Sequence, residues 1–458
     1  MGFGKKICKY QNEIIRDLAA LVAIPSVRGK AENGMPYGAQ SARALDCILA
    51  MAESMGLKTK NVDGYAGHAE YGEGDEIAAV LAHVDVVPAG EGWESEPFTV
   101  TQKGNLYFGR GTADDKGAAV AALYCLKALK DEGVLGKRRL RVIFGAGEET
   151  GMDDLDHYFE TEPLPQMGFT PDAEYGICNR EKGILHFNIL GSGISEIVDY
   201  LEAGVAVNAV PDRAEAGITC TEEHFQALLK EAEVSKGKFD FEKTPSGAKI
   251  VSHGIAAHAM QPETGLNAAA YLIELLCAVF PEQKLGSFLA FLHKAVGLEI
   301  DGTSFGVKQD DEPSGRLTFN LGLLKMGPSK ACASIDIRYP VLASGEQIIS
   351  EIEERVKKAG LKAEVTSHNP PLYLPDGSPL VDLLKESYRE VTGQDALLYA
   401  TGGGTYARAI RGRGVAFGPF FQDEPDRRLH NANEHIDIEK FMLHAQICLE
   451  AMYRMLIA

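Results

Sequence analysis

Among 458 residues there is one tryptophan, and the eight cysteines (positions 8, 47, 125, 178, 220, 277, 332 and 448) form no C-x-x-C pair. That scatter excludes a disulfide scaffold and a zinc-ribbon module, and it suits a reducing compartment, with Cys125 and Cys277 in helical apolar patterns as buried thiols. No apolar run reaches the length of a membrane span. The start, Met1-Gly2-Phe3-Gly4-Lys5-Lys6, has no long apolar core of the signal-peptide kind, and Lys6 stands where a myristoylation signal wants Ser or Thr. A cytoplasmic location is the expectation. Positive charge is also in short supply. With 46 Lys and Arg against 65 Asp and Glu the formal charge is −19, which argues against nucleic acid or an anionic membrane as partner. No Gly-x-x-x-x-Gly-Lys loop is present, so the glycine-rich stretch at 402–404 is not read as a phosphate cradle.

What the chain has is carboxylate at the ends of apolar runs. Ile77 to His83 is apolar without alternation, which predicts a buried strand that delivers His83 and Asp85 at its exit. Ligands of open α/β sheets bind at that end. A His-x-Asp pair by itself is more simply a histidine satisfied by a nearby acid; four further acidic features change the balance. Gly109-Arg110-Gly111-Thr112-Ala113-Asp114-Asp115-Lys116-Gly117 leads into a strong helical pattern over 118–129. One of the two aspartates would be explained as a helix cap, but not both. A second strand, Arg139–Gly145, runs out into Gly147-Glu148-Glu149-Thr150-Gly151, and Asp172 precedes a strand-like Tyr175–Cys178. Near the end comes His430-Asn431-Ala432-Asn433-Glu434.

At this length two or three domains are expected. Alternating strands and helices to residue 182 predict a mostly parallel sheet with helices on both faces. From Gly183 short alternating strands and helices (222–233, 266–280, 346–358) take over, and after Pro370-Pro371 the first style resumes. The expected organisation is an α/β domain over 1–182 and 371–458, interrupted at 183–370 by an α+β insertion long enough for two modules.

Nine polar residues then fall at one sheet edge: His83, Asp85, Asp114, Asp115, Glu148, Glu149, Asp172, His430 and Glu434. So many carboxylates with two imidazoles repel one another unless cations sit among them. Imidazole with carboxylate suits zinc, with manganese or cobalt as substitutes. The residues point to a two-metal hydrolase, with the assignment of ligands open.

These motifs, in this order along nearly the whole chain, resemble the dinuclear metallopeptidases, the family of carnosinase, aminoacylase, carboxypeptidase G and succinyl-diaminopimelate desuccinylase. Thr170-Pro171-Asp172-Ala173, Ala206-Val207-Asn208-Ala209-Val210-Pro211-Asp212 and Gly402-Gly403-Gly404-Thr405-Tyr406 are most similar to its PepV-type bacterial dipeptidases. The resemblance implies two metal ions, with Asp114 bridging, His83 and Asp172 on one, Glu149 and His430 on the other. It implies Asp85 behind His83, a structural role for Asp115, and Glu148 as general base toward a metal-bridging water. It makes the insertion a lid. There His258, in Ile255-Ala256-Ala257-His258, would stabilise the oxyanion, while Asn208 and Arg338 hold substrate, Arg338 gripping a carboxylate bidentately. Gly403 and Gly404 would offer backbone groups to it. A lid of two modules in one chain implies a monomer with a complete site. The implied activity is hydrolysis of unblocked dipeptides, Xaa-His and β-alanyl dipeptides among the candidates. An N-acyl-amino-acid deacylase of the same family is the alternative, and an inactive binding protein on this scaffold a remote one.

Overall fold

The computed structural model describes residues 2–458. The chain packs as two units. One comprises the chain up to Asn179 with Leu372–Tyr399 and Gly404–Ala458; the other comprises Arg180–Pro371 with Ala400–Gly403.

In the first unit the strands Lys58–Val62, Ala66–Gly72, Arg139–Gly145, Ile77–His83, Met167–Thr170 and Gly414–Ala416 lie side by side in that order. The centre is parallel: Ile77–His83 runs alongside both Arg139–Gly145 and Met167–Thr170, and Gly414–Ala416 alongside the latter. The flank is antiparallel, through the pairing of Lys58–Val62 with Ala66–Gly72 and of that strand with Arg139–Gly145. Every residue of Ile77–His83 is buried. Its side chains alternate, Ala78, Val80 and Ala82 entering the larger core and Ala79 and Leu81 a smaller one on the opposite face.

The larger core is built from the helices Gln11–Val22, Ala39–Ser54, Lys116–Asp131, Pro379–Thr392 and Ile438–Ile457. Lys116–Asp131 is apolar nearly all round and buried accordingly, with Leu123, Leu126 and Leu129 at 0% exposure, each worth about 1.5–3 kcal/mol of transfer free energy. The smaller core sits under the short helix Asp153–Thr161 and Tyr406–Ile410. The strand expected at Tyr175–Cys178 runs instead over Ile177–Glu181, after a short pairing of Ala173–Glu174 with Pro419–Phe420.

The second unit is an eight-stranded antiparallel sheet in the order Lys238–Thr244, Gly247–His253, Arg213–Thr219, Val198–Ala203, Thr318–Met326, Ala331–Tyr339, Gly183–Gly191 and Lys362–Asn369. It divides into two four-stranded halves. They meet along one short register, Leu201 opposite Met326, Glu202 opposite Lys325 and Ala203 opposite Leu324. Glu222–Val234 and Ala268–Val279 cover the first half and Gly345–Lys358 the second, and all share one core. These helices begin at Thr221, Asn267 and Ser344, whose side chains accept from the backbone N–H of His224, Ala270 and Gln347, caps worth about 1 kcal/mol each. Both edge strands are largely exposed and carry Lys and Glu, which discourages edge-to-edge pairing. No helix among the described residues is long and apolar enough to cross a membrane, and all eight cysteines are free thiols.

Candidate active site

The parallel strands of the first unit end together, so their exits bring distant motifs to one place. His83, the last residue of its strand, is 1% exposed. Its Nδ1 lies 3.1 Å from the Asp85 carbonyl oxygen and 3.4 Å from Asp85 Oδ1. With Nδ1 donating to Asp85, Nε2 faces Asp114 Oδ1 at 3.0 Å and Asp172 Oδ2 at 3.9 Å, donating to Asp114 when protonated and offering its lone pair to a cation when not. Asp114 reaches the other way as well. Its Oδ2 is 2.9 Å from His430 Nε2, which in turn is 3.1 Å from Glu149 Oε1. Ligand atoms of His83, Asp114 and Glu149 lie within 4.8 Å of one another, as do those of His83, Glu148 and Asp172.

Asp85 does more than face His83. Its two carboxylate oxygens accept the backbone N–H groups of Glu148 and Glu149, each at 3.2 Å, so one side chain ties two strand exits together. Asp115 occupies the N-cap position of the following helix but makes no cap bond there. Its Oδ2 accepts from the His83 N–H at 3.1 Å. That explains why two aspartates stand here: one faces the cluster, the other holds the histidine's backbone.

The charges are out of balance without a cation. Burial, then the charges of Asp172, Asp114 and Glu149, push the Glu148 carboxyl well above its ordinary range, against His83. Burial and Asp114 push Asp172 up to about 8. Burial would raise Asp114 too, but its bonds to His430 and His83 outweigh that and hold it low. Hydrogen bonds accepted by Asp114 and Glu149 lift His430 to about 10. A set of buried carboxylates that cannot all ionise, converging with two imidazole nitrogens, fits divalent cations.

One further acid organises the site. Glu434 is fully buried; it is 2.5 Å from Arg110 Nη1, and its Oε1 accepts from the N–H of Gly111 (2.9 Å), Ala113 (3.0 Å) and Asp114 (3.2 Å). The adjacent Asn433 side chain accepts from Glu94 N–H at 2.9 Å. The His430–Glu434 motif therefore supplies a cluster residue and the brace for the Asp114 loop. Its spacing was visible in the sequence; the brace was not.

In the second unit His258 Nδ1 accepts from the Met260 N–H at 3.1 Å, which leaves the ring proton on Nε2. Burial, then the charge of Arg338, lowers its pKa, so the ring stays neutral and presents a donor. The segment is held by its neighbours: Ala259 N–H donates to the Asn208 carbonyl at 2.9 Å, Asn320 Nδ2 donates to the Ala209 carbonyl at 2.9 Å, and Thr318 Oγ1 to the Ala259 carbonyl at 3.2 Å. Asn208 itself is exposed. Arg338 departs from the simple expectation. Its Nε and Nη2 each donate to Asp336 at 2.7 Å, and Nη1 donates to the Gly402 carbonyl at 2.8 Å. A ligand carboxylate can meet only the remaining Nη protons. Asp336, two residues earlier on the same strand face, was legible as a partner from that spacing alone. Gly403 N–H donates to Thr401 Oγ1 at 3.1 Å; Gly404 falls in the first unit and is half-buried.

The peptidase family M20/M25/M40 matches residues 79–454 of this chain. The chain belongs to that family and is a hydrolase. It is 34% identical over 467 residues to the Staphylococcus haemolyticus protein named "Putative dipeptidase SH1171", covering 98% of each, and 34% identical over 463 residues to a Staphylococcus aureus protein of the same description. Among solved structures its fold is similar to the dipeptidase Dug1p of Saccharomyces cerevisiae (TM-score 0.59, 14% identity, 99% and 98% of the two chains). It is also similar to the aminoacylhistidine dipeptidase of Vibrio alginolyticus (TM-score 0.59, 14% identity, 96% of each).

Proposed function

We propose that the chain is a metal-dependent dipeptidase that hydrolyses unblocked dipeptides, in the cytoplasm and as a monomer. The observation that carries this is the convergence of His83, Asp114, Glu148, Glu149, Asp172 and His430 at one set of strand exits, with Asp114 facing both imidazoles. The two relatives at 34% identity, both named "Putative dipeptidase", support the substrate class. His83, Asp172, Glu149 and His430 would hold two divalent ions, zinc first among them, with Asp114 shared. When bound, they polarise the scissile carbonyl and lower the pKa of the attacking water.

The chain's own residues do the rest. Glu148 takes the proton from water as it attacks, then gives it to the leaving amine, a role that suits a carboxyl whose pKa burial and neighbouring charges raise. Asp85 keeps the His83 ring oriented and the Glu148 backbone fixed. The neutral His258 donates its Nε2–H to the developing oxyanion. Asn208, the outer Nη protons of Arg338 and the Gly403–Gly404 backbone hold the two ends of the substrate, with the insertion acting as a lid.

The test is a panel of dipeptides, including Xaa-His and β-alanyl members, against N-acetyl and N-succinyl amino acids. It is run on metal-loaded protein. Turnover of free dipeptides at least tenfold above the acylated compounds is expected. The reverse order would make the enzyme a deacylase.

A further inference from the structure

The turn that carries Glu148 and Glu149 is short, with a single 3-10 turn over Glu148–Thr150 between a strand and a helix. Its backbone is gripped from behind by Asp154, itself held by Tyr406, and neither residue holds metal or touches substrate in the proposed reaction. Asp154, in the first turn of Asp153–Thr161, is 0% exposed. Acids at that position ordinarily face solvent and favour their own helix dipole. This one reaches back instead: its Oδ2 accepts from the Gly147 N–H at 2.8 Å and from the Tyr406 hydroxyl, while Oδ1 accepts from Leu155 N–H at 2.8 Å. All three donors are neutral, so the carboxylate is held by geometry rather than by an opposite charge.

The surroundings are shaped to this pair. Gly145, the last residue of its strand, lies so close to the Tyr406 hydroxyl and to Asp154 Oδ2 that a side chain there would strike both. A Cβ on Gly147 would come within 2.6 Å of the Tyr37 ring, and Tyr37 donates to Asp153 Oδ1 at 2.8 Å. Gly147 is thus fixed by its amide on one side and by an aromatic face on the other. Tyr406 also stands edge-on to the His83 ring, with centroids 6.2 Å apart and planes at 87°. The helix cannot slide away, because its far end is tied to the sheet: Arg141 donates to Glu162 at 2.6 Å and to the Tyr158 hydroxyl at 3.0 Å.

We infer that Asp154 and Tyr406 are positioning residues for peptide hydrolysis, the pair fixing the Gly147 amide and so the direction in which Glu148 leaves the strand, with the Tyr406 ring setting that turn against His83. This rests on the reading of Glu148 as general base. A base displaced by a fraction of an ångström loses rate without losing substrate affinity.

Tyr406→Phe removes only the hydroxyl; Asp154→Asn keeps shape but disturbs the acceptor. Both are made in the full chain, loaded with zinc, and read by dipeptide kinetics, metal content and amide hydrogen exchange of the 145–152 segment. The expected result for Tyr406→Phe is a loss of about tenfold in kcat, and for Asp154→Asn about a hundredfold. KM and metal content should stay unchanged, and exchange should quicken at 145–152 but not in Lys116–Asp131. Wild-type kcat and exchange in Tyr406→Phe would overturn the inference, as would a loss that follows raised KM or lost metal. Should the unmodified protein cleave no dipeptide, the functional reading fails instead, and the exchange rates still judge the brace.

Discussion

The two units hold their functional side chains by opposite means. In the first, charge faces charge at the strand exits: Asp114 lies between His83 and His430, Asp85 bridges two backbones, and buried carboxylates raise one another's pKa. In the second, His258 and Asn208 are held by neutral bonds to backbone, through Met260, Ala259, Asn320 and Thr318, with one buried ion pair at Arg338–Asp336. The first arrangement gathers carboxylates that cannot all ionise together, which suits cations. The second is at rest without them. Perturbing the first should therefore act through metal and chemistry, and perturbing the second through rate or affinity at constant metal.

The largest expected effect tests the first half of that contrast. Removing metal with a chelator should take dipeptide hydrolysis to background and lower the thermal midpoint, and zinc or manganese should restore both. Activity that survives complete metal removal, verified by elemental analysis, would break the comparison. Next, His258→Ala should lower kcat by about 10²–10³-fold, the loss typical of one oxyanion donor, with metal content unchanged. A variant that loses metal would move His258 into the other class.

Arg338→Ala is expected to raise KM for dipeptides by roughly tenfold or more. Because it leaves Asp336, which is 0% exposed, with only His186 Nε2 at 2.8 Å as a side-chain partner, it should also cost about 1–3 kcal/mol in denaturant unfolding. Asp336→Asn in the same background should recover part of the stability and none of the KM. The smallest effect is on acid stability. Burial, then Arg141, lowers the His68 pKa to about 4. Between pH 6.5 and 4 the unfolded chain therefore binds a proton that the folded chain refuses. Stability falls as pH falls through that window, by up to about 1.4 kcal/mol per unit. His68→Gln should flatten that slope in pH-dependent unfolding.

How much of this was legible in the sequence differs between residues for physical reasons. The Ile77–His83 strand, the helix after Asp114–Asp115 and the exit at Glu148–Glu149 are local patterns, and they carried the cluster. The choice between Asp114 and Asp115 could not be made from residue chemistry, because it depends on which carboxylate turns toward the His83 backbone. Glu434 and Asp154 were opaque for a related cause. The partners of Glu434 lie far along the chain at 110–114, as does Tyr406 for Asp154, and Asp154, beside other acids at a helix start, reads as a solvated one. The antiparallel flank of the first sheet was likewise hidden, since short strands at 58–72 fit either direction of pairing. The two halves of the second sheet were visible only as length, because the three-residue register that joins them has no motif.

Metal content and turnover of Glu148→Ala test the central claim most directly. A carboxylate that moves a proton rather than holding an ion should leave metal binding at the wild-type level while dipeptide turnover drops by about 10³–10⁴-fold. Turnover within tenfold of wild type, or metal lost in step with activity, would contradict the assignment.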